Sequence, residues 1–233
     1  MDVTENLKKV LSEIEKSESD AGRDPGSVKL IAVSKTKPVE MIQEAYDAGQ
    51  RDFGENYVQE IVNKSPLLPP DIRWHMIGHL QRNKVRQIID KVCMIHGVDS
   101  LKLAEEISRQ AEKREMVMPV LMEVNIGSEE SKSGVRPEEV RALAEEMGKL
   151  PGISLRGLMC VPPVCEDPGD SREYFRRMQK LSVDIMPENI DNKSVCELSM
   201  GMSHDFREAI YCGATMVRIG TDIFGERDYS NKK

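Results

Sequence analysis

The sequence lacks the long apolar runs and the basic excess that mark two common classes of protein. None of its apolar stretches approaches the ~20 residues that are needed to span a bilayer. Its formal net charge of -7 is opposite in sign to the basic balance expected of a general nucleic-acid binder. We therefore expect neither a membrane-spanning protein nor a partner for nucleic acids.

The sequence also lacks the cysteine patterns of disulfide frameworks and zinc sites. It has five cysteines, an odd number, and no CxxC pair. Such usage is typical of reduced thiols in a cytoplasmic protein. The first 17 residues are acidic and amphipathic, unlike a secretory signal, which agrees with the same location.

The chain has the length and composition of one large domain. Its 233 residues are 39% hydrophobic, enough for a real core and far from a disordered composition. A β/α barrel of roughly 250 residues is a known single-domain solution at this size. We therefore predict a single domain over residues 1–233.

Eight β-rich stretches alternate with helical patterns. Several are nearly continuous apolar runs, as expected of parallel strands that are buried on both faces. The predicted strands are 29–35, 51–56, 73–80, 94–98, 118–126, 153–161, 195–200 and 215–220. The alternation predicts a parallel α/β fold. Eight similar units without a GxGxxG turn favour a (β/α)8 TIM barrel over a doubly wound sheet.

Helical patterns occupy the intervals between these strands. The predicted helices are 39–48, 101–112, 138–147, 174–185 and 205–211. Before the first strand, Leu7, Val10, Leu11 and Ile14 fall on one face of a further helix. We expect this additional N-terminal helix to pack on the outside of the barrel.

Two lysines follow the first strand, in the stretch AVSKTKP (32–38). Lys35 and Lys37 both share the parity of Ile31 and Val33, so both would face inward if those residues do. An amine that is desolvated at the top of a barrel has a lowered pKa and is suited to forming a Schiff base. Spacing alone does not choose between the two, and either could be an ordinary exposed lysine.

Glycines and hydroxyls follow the last two strands, where barrels often bind phosphate. Ser199, Gly201 and Ser203 end strand seven, and Gly220 and Thr221 end strand eight. Glycines let the backbone approach an anion, hydroxyls donate hydrogen bonds, and a helix N-terminus adds positive potential. The same residues could serve only as turns and as a helix N-cap.

Arg218 lies within the otherwise apolar eighth strand, between Val217 and Ile219. A buried arginine needs a partner. That partner could be a carboxylate elsewhere in the chain or the ring nitrogen of a pyridine cofactor.

Other polar residues carry weaker signals. His75 and His79 are spaced for a metal only on a helix, and their surroundings are strand-like, so His75 could instead line the mouth of the pocket. Lys132 could reach over that pocket or be an ordinary surface lysine. The Pro- and Gly-rich loop 162–171 could act as a lid or be a tolerated insertion.

Across nearly its whole length the sequence resembles the YggS/PROSC-type pyridoxal phosphate homeostasis proteins. The motifs that carry the resemblance are AVSKTKP (32–38), FGENYVQE (53–60), WHMIGHLQRNK (74–84), SKSG (131–134), RGLMC (156–160), LSMGMSHDF (198–206) and VRIGTDIFGERDY (217–229). Seven motifs in this order make the match specific. The resemblance implies a barrel like that of the alanine racemase N-terminal domain, with pyridoxal 5'-phosphate (PLP) bound covalently.

The resemblance also assigns roles to individual residues. Lys35, rather than Lys37, is the implied Schiff-base residue. Arg218 is implied to lie beside the pyridine nitrogen, and Asn56 near the cofactor. The implied phosphate contacts are Ser199, Gly201, Ser203, Gly220 and Thr221.

The resemblance implies a carrier of PLP more than an enzyme. An arginine beside the pyridine nitrogen disfavours its protonation and weakens the cofactor as an electron sink. The chain ends soon after the eighth strand, which leaves no room for the second domain that completes a racemase site. We therefore expect a monomeric PLP-binding protein of vitamin B6 homeostasis, with apo-forms of PLP-dependent enzymes as candidate partners. The alternatives are a small PLP-dependent amino-acid racemase and a cofactor-free Schiff-base lyase.

Overall fold

Eight parallel strands form a closed barrel in a computed structural model that describes residues 2–129, 132–185 and 197–226. Each strand pairs with its neighbours in the chain, and β1 pairs with β8 to close the barrel. The strands are β1 (Lys29–Val33), β2 (Asp52–Glu55), β3 (Arg73–Met76), β4 (Val92–Val98), β5 (Met118–Glu123), β6 (Ile153–Met159), β7 (Glu197–Met202) and β8 (Met216–Ile219). The predicted barrel is confirmed, although the first two positions of the predicted seventh strand, 195 and 196, lie outside the described residues.

Helices connect the strands and cover the outside of the barrel. They are α1 (Val3–Asp20), α2 (Val39–Asp47), α3 (Val58–Lys64), α4 (Val85–Ile88), α5 (Leu101–Glu112), α6 (Val140–Met147), α7 (Ser171–Asp184), α8 (Phe206–Tyr211) and α9 (Thr221–Phe224). Helix α5 has the bounds that its pattern predicted. Helix α7 begins three residues earlier than predicted, because a 3-10 turn over Pro168–Asp170 leads directly into it.

The barrel has an inner and an outer apolar layer. The inner layer is a small cluster of Ile31, Met94, Leu121, Met159 and Met216, contributed by five different strands. The outer layer is a much larger cluster that packs the strands against the helices. Ile31 thus faces inward, and the period of two along β1 gives Val33 the same direction.

Helix α1 is the predicted additional helix and packs against α2, α8 and α9. Asp2 caps its N-terminus by accepting a hydrogen bond from the backbone N–H of Glu5 at 2.9 Å. Leu7 on its inner face is fully buried, whereas Leu11 is 37% exposed. The prediction that Leu11 shares the buried face of the helix is therefore wrong. Val3 belongs to that face instead. None of the described helices is both long and apolar enough to cross a bilayer.

Candidate cofactor site

Lys35 lies in a tight turn that follows β1. The backbone N–H of Lys37 donates to the carbonyl oxygen of Ser34 at 3.0 Å and closes this turn. Thr36 has a φ of 63°, a region that β-branched residues rarely adopt. The carboxylate of Glu60 accepts the Thr36 N–H at 2.9 and 3.1 Å from its two oxygens. A side chain from α3 therefore holds the turn that presents Lys35.

A buried cluster formed by Glu55, Lys64 and Ser34 holds the start of this turn. Glu55 Oε1 accepts hydrogen bonds from the Ser34 hydroxyl at 2.7 Å and from Lys64 Nζ at 2.8 Å. Lys64 also donates to the Ser34 carbonyl at 2.9 Å and to Glu60 at 2.8 Å. Burial raises the pKa of Glu55 to about 8 despite the opposing effect of Lys64. Glu55 and Lys64 therefore join the start of the turn to β2 and α3.

The structure distinguishes the two lysines that spacing left equivalent. Lys37 Nζ donates to three backbone carbonyls, those of Phe224 at 2.8 Å, Gly225 at 2.9 Å and Glu226 at 2.7 Å. These carbonyls end helix α9 and follow it, where a cation is favoured. Lys37 thus has a structural role, and Lys35 is half-buried in the turn after β1.

Arg218 lies in the barrel wall, in register with Ile31 of β1, and is only 4% exposed. It donates to the hydroxyl of Ser199 at 2.7 Å and to the carbonyl of Cys160 at 2.8 Å. Within the described ranges, no carboxylate forms an ion pair with its guanidinium. Burial lowers the pKa of Arg218, yet a guanidinium stays charged in proteins. A buried cation with only neutral partners suits a further acceptor such as a pyridine nitrogen.

The structure separates Ser199 from the other residues that were assigned to the phosphate. Ser199 is fully buried, and its hydroxyl lies between Arg218 and His96, at 2.7 and 3.0 Å. Ser203, by contrast, is half-buried in the loop that follows β7. Burial and Glu13 raise the pKa of Asp222 in α9, and a hydrogen bond with Ser203 opposes the rise. The loops after β7 and β8 therefore meet at Ser203.

The packing of the chain excludes a side chain at Gly201, at the end of β7, and leaves little room for one at Gly220, after β8. Gly201 has a φ of 89°, and a Cβ there would come within 2.6 Å of the Ala209 Cβ. A Cβ on Gly220 would lie 3.0 Å from the carbonyl oxygen of Val33. Helices α8 and α9 have only six and four residues, so the predicted helix-dipole contribution is small. The hydroxyls of half-buried Ser203 and exposed Thr221 remain as candidate donors to an anion at these loops.

A cavity of about 300 Å³ opens at the mouth of the barrel. Asn56, which was expected near the cofactor, lines it together with Glu123 and Lys132. Lys132 Nζ donates to the carbonyl of Pro162 at 3.1 Å and pairs with Glu129, so it reaches over this cavity to the loop 162–171. The sequence alone had left open whether Lys132 reaches over the pocket or is an ordinary surface lysine.

Glu123 is a mouth residue that sequence reasoning missed. Its Oε1 accepts a hydrogen bond from the Ser133 hydroxyl at 2.9 Å, and its buried Oε2 has no hydrogen-bond partner among the described residues. Burial raises the pKa of Glu123. Glu123 is the last residue of the apolar strand β5, and its position in the sequence does not indicate that its carboxyl group is buried.

The two histidines that were considered for a metal lie in different environments. His75 is buried in the barrel, 3.0 Å from Asp52 Oδ1 and 2.9 Å from His96, and not at the mouth of the pocket. His79 is exposed and pairs with Asp99 at 3.3 Å. The described parts of the chain contain no group of three or more His, Cys, Asp or Glu side chains that could hold a metal ion. The contact between His75 and His96 was missed, because no local pattern marks His96.

Fold and site together define a class of protein. The family described as "Alanine racemase, N-terminal domain" matches residues 6–228, nearly the whole chain. The chain therefore belongs to this family, whose fold is the barrel described above.

Individual relatives narrow the comparison and confirm the resemblance carried by the motifs. The chain is 46% identical over 230 residues to the pyridoxal phosphate homeostasis protein of Aquifex aeolicus, covering 98% of this chain and 100% of the relative. A protein of unknown function from Bifidobacterium adolescentis has a solved structure with a TM-score of 0.91 and 39% identity, covering 96% of this chain and 94% of that one. PipY from Synechococcus elongatus PCC7942, solved with PLP bound, has a TM-score of 0.84 and 34% identity over 96% and 100% of the two chains.

Proposed function

We propose that this protein binds PLP as a Schiff base on Lys35 and serves intracellular vitamin B6 homeostasis, without robust catalysis of its own. The observation that carries the proposal is the buried guanidinium of Arg218, which has only neutral partners among the described residues. It lies in register with Ile31 on the strand whose end presents Lys35. The homeostasis proteins among the relatives and the PLP-bound PipY structure support the same cofactor.

The residues around this wall fit the parts of the cofactor. Arg218 has N–H donors beyond those used by Ser199 and Cys160, as a ring nitrogen requires. The backbone at Gly201 and Gly220, with the hydroxyls of Ser203 and Thr221, is assigned to the phosphate, and Asn56 to the neighbourhood of the ring. PLP supplies an electron sink when bound. A donor cation at the nitrogen keeps that sink weak, which suits a carrier.

The test is borohydride reduction of the protein after incubation with PLP. We expect a visible imine band, lost on reduction, and a pyridoxyl group that peptide mass spectrometry locates on Lys35. Lys35→Ala should abolish both, while the matched variant Lys37→Arg, which keeps its cation at the end of α9, should retain both. A normal imine band in Lys35→Ala, or a pyridoxyl group on Lys37, would overturn the proposal.

Glu123 supports one alternative, the small amino-acid racemase. It places a buried carboxyl group at the mouth of the barrel, where a racemase needs a second acid or base, and burial raises the pKa of that group. The holo-protein would be incubated with a panel of amino acids in heavy water. Rapid exchange of the α-proton that is lost in Glu123→Gln would establish the enzyme. Absence of exchange in a protein that carries the imine supports the carrier.

The proposed cellular setting follows from the carrier role. The described cysteines are all free thiols, in agreement with a reducing cytoplasm. The apo-forms of PLP-dependent enzymes are the proposed recipients of the cofactor, and the protein is proposed to act as a monomer. Sedimentation of the holo-protein, alone and with an apo-enzyme, measures both the oligomeric state and any stable complex.

A further inference from the structure

Five side chains form one continuous hydrogen-bonded chain across the inside of the barrel, which we call the interior relay: Asp52, His75, His96, Ser199 and Arg218. Asp52 Oδ1 lies 3.0 Å from His75 Nε2, and His75 Nδ1 lies 2.9 Å from His96 Nε2. His96 Nδ1 lies 3.0 Å from Ser199 Oγ, which accepts from Arg218 at 2.7 Å. All five residues are buried, and they come from β2, β3, β4, β7 and β8.

The two ends of the interior relay impose a single direction on its hydrogen bonds. Arg218 can only donate, and an ionised Asp52 can only accept. His75 must therefore carry its proton on Nε2, and a neutral His75 then accepts at Nδ1. Neutral His96 donates from Nε2 and accepts at Nδ1, so the Ser199 hydroxyl donates to it. Each of the four hydrogen bonds of the relay then joins one donor to one acceptor.

The electrostatic surroundings keep both imidazoles neutral. Burial lowers the pKa of His75 below its usual range, although Asp52 opposes the shift, and burial lowers the pKa of His96 further. Hydrogen bonds from Arg73 and His75 lower the pKa of Asp52 despite its burial. The other charged or titratable groups that act on the imidazoles are Lys29, Arg73, Cys93 and Arg218.

We propose that Ser199, His96, His75 and Asp52 are positioning residues that hold Arg218 in one orientation, with its remaining N–H groups directed toward the ring nitrogen of the bound cofactor. The proposal rests on the proposed function and deepens it. It assigns Ser199 to the guanidinium rather than to the phosphate. It also makes the orientation of Arg218 depend on groups at the opposite end of the barrel interior.

The first test uses ligand-free protein, so it does not depend on PLP. Nitrogen-15 NMR of histidine-labelled protein reports tautomers directly, and the chain has only four histidines. We expect His75 and His96 to be neutral with the proton on Nε2, and His96 to lose its single tautomer in Ser199→Ala. A proton on Nδ1 of either residue in the wild type would overturn the proposal.

The second test measures the cofactor in Ser199→Ala against a matched buried serine. Ser108 on α5 is also buried, and its hydroxyl also makes two hydrogen bonds, with Glu112 at 2.8 Å and the Gly152 N–H at 3.0 Å. Because Ser199 bonds a charged partner, Ser199→Ala should bind PLP about tenfold more weakly and shift the pH titration of the imine band. Ser108→Ala should lose a similar amount of thermal stability and keep the wild-type spectrum, and Ser199→Thr should restore the titration.

Asp52→Asn at the far end of the relay keeps the inference testable if Ser199→Ala does not fold. It should free the tautomers of His75 and shift the imine titration in the same direction. An unchanged titration in Asp52→Asn and Ser199→Ala, or an equal shift in Ser108→Ala, overturns the relay alone. A wild-type protein that forms no imine on Lys35, while showing the expected tautomers, overturns the proposed function and leaves the relay as a structural element of the barrel.

Discussion

At the scale of single residues, Lys35 and Lys37 show how two neighbouring lysines acquire different roles. They share a parity, so periodicity alone treats them alike. The ammonium of Lys37 is bound by three carbonyls that lie about 190 positions away in the chain, a separation that no local pattern reveals. Its charge is used to join the turn after β1 to the end of α9.

Replacing Lys37 by alanine should therefore destabilise the fold without removing the reactive amine. Loss of charge-assisted bonds to the end of α9 should lower the free energy of unfolding by about 1–2 kcal/mol. Urea denaturation measures the change. Lys149→Ala is the control, because that side chain is 66% exposed and pairs only on the surface, so its effect should stay within about 0.5 kcal/mol. Equal losses in the two variants would contradict the structural role of Lys37.

At the scale of elements, the sequence predicted the eight strands and most helices, because buried parallel strands appear as short apolar runs between amphipathic segments. Strand ends were less accurate. The predicted strand 73–80 stops at Met76, and at Gly78 the chain passes so close to Asn56 that a Cβ would lie 2.5 Å from its carbonyl oxygen. Contacts between distant strands were beyond prediction. His96 and Ser199 are separated by 103 positions, and they meet only once the barrel has closed.

Helix α1 provides a test of which of its residues face the barrel. Leu7→Ala should create a cavity in a fully packed interface and cost about 2–4 kcal/mol of unfolding free energy. Leu11→Ala, one turn further along the helix and 37% exposed, should cost less than about 1 kcal/mol. Chemical denaturation of both variants measures the difference. A larger loss for Leu11→Ala would place the buried face of α1 elsewhere.

The junction of β7 with α8 depends on Gly201 for two separate reasons. A side chain there would be strained by the positive φ and would also collide with Ala209. Gly49 has a similar φ of 104° but has nothing within 4 Å of a built Cβ. Gly49→Ala should therefore cost about 1 kcal/mol, and Gly201→Ala about 2–4 kcal/mol. Melting curves of the two variants separate strain from collision, and equal losses would show that the collision relaxes.

At the scale of the whole molecule, the barrel interior holds several ionisable groups whose pKa values are shifted by burial. The interior relay lies inside the barrel together with the small apolar cluster of its inner layer. The folded chain holds the histidines of the relay neutral, whereas the unfolded chain can protonate them. Lowering the pH therefore favours the unfolded state. Acid therefore acts on the core of this protein as well as on its surface.

The pH dependence of stability should show this effect. His96 has a lowered pKa in the folded state, so its contribution is complete above the unfolded pKa of about 6.5 and is lost as the pH falls below it. The loss should approach about 1.4 kcal/mol per pH unit. In His96→Gln the free energy of unfolding should fall less steeply from pH 6.5 to pH 5. The exposed control His204→Gln should keep the wild-type slope, and an unchanged slope in His96→Gln would refute the explanation.

The single direction of the interior relay also constrains how this sequence can drift. Replacing one member by an apolar residue leaves the buried groups on both sides without partners, at a cost of about 1–3 kcal/mol each. Replacing neighbouring members together removes donor and acceptor at once and can be nearly neutral. Among homologous proteins, His75 and His96 should therefore change as a pair, although they belong to different strands. An alignment that shows one imidazole retained beside an apolar substitute for the other would point to a second route for satisfying the buried nitrogen.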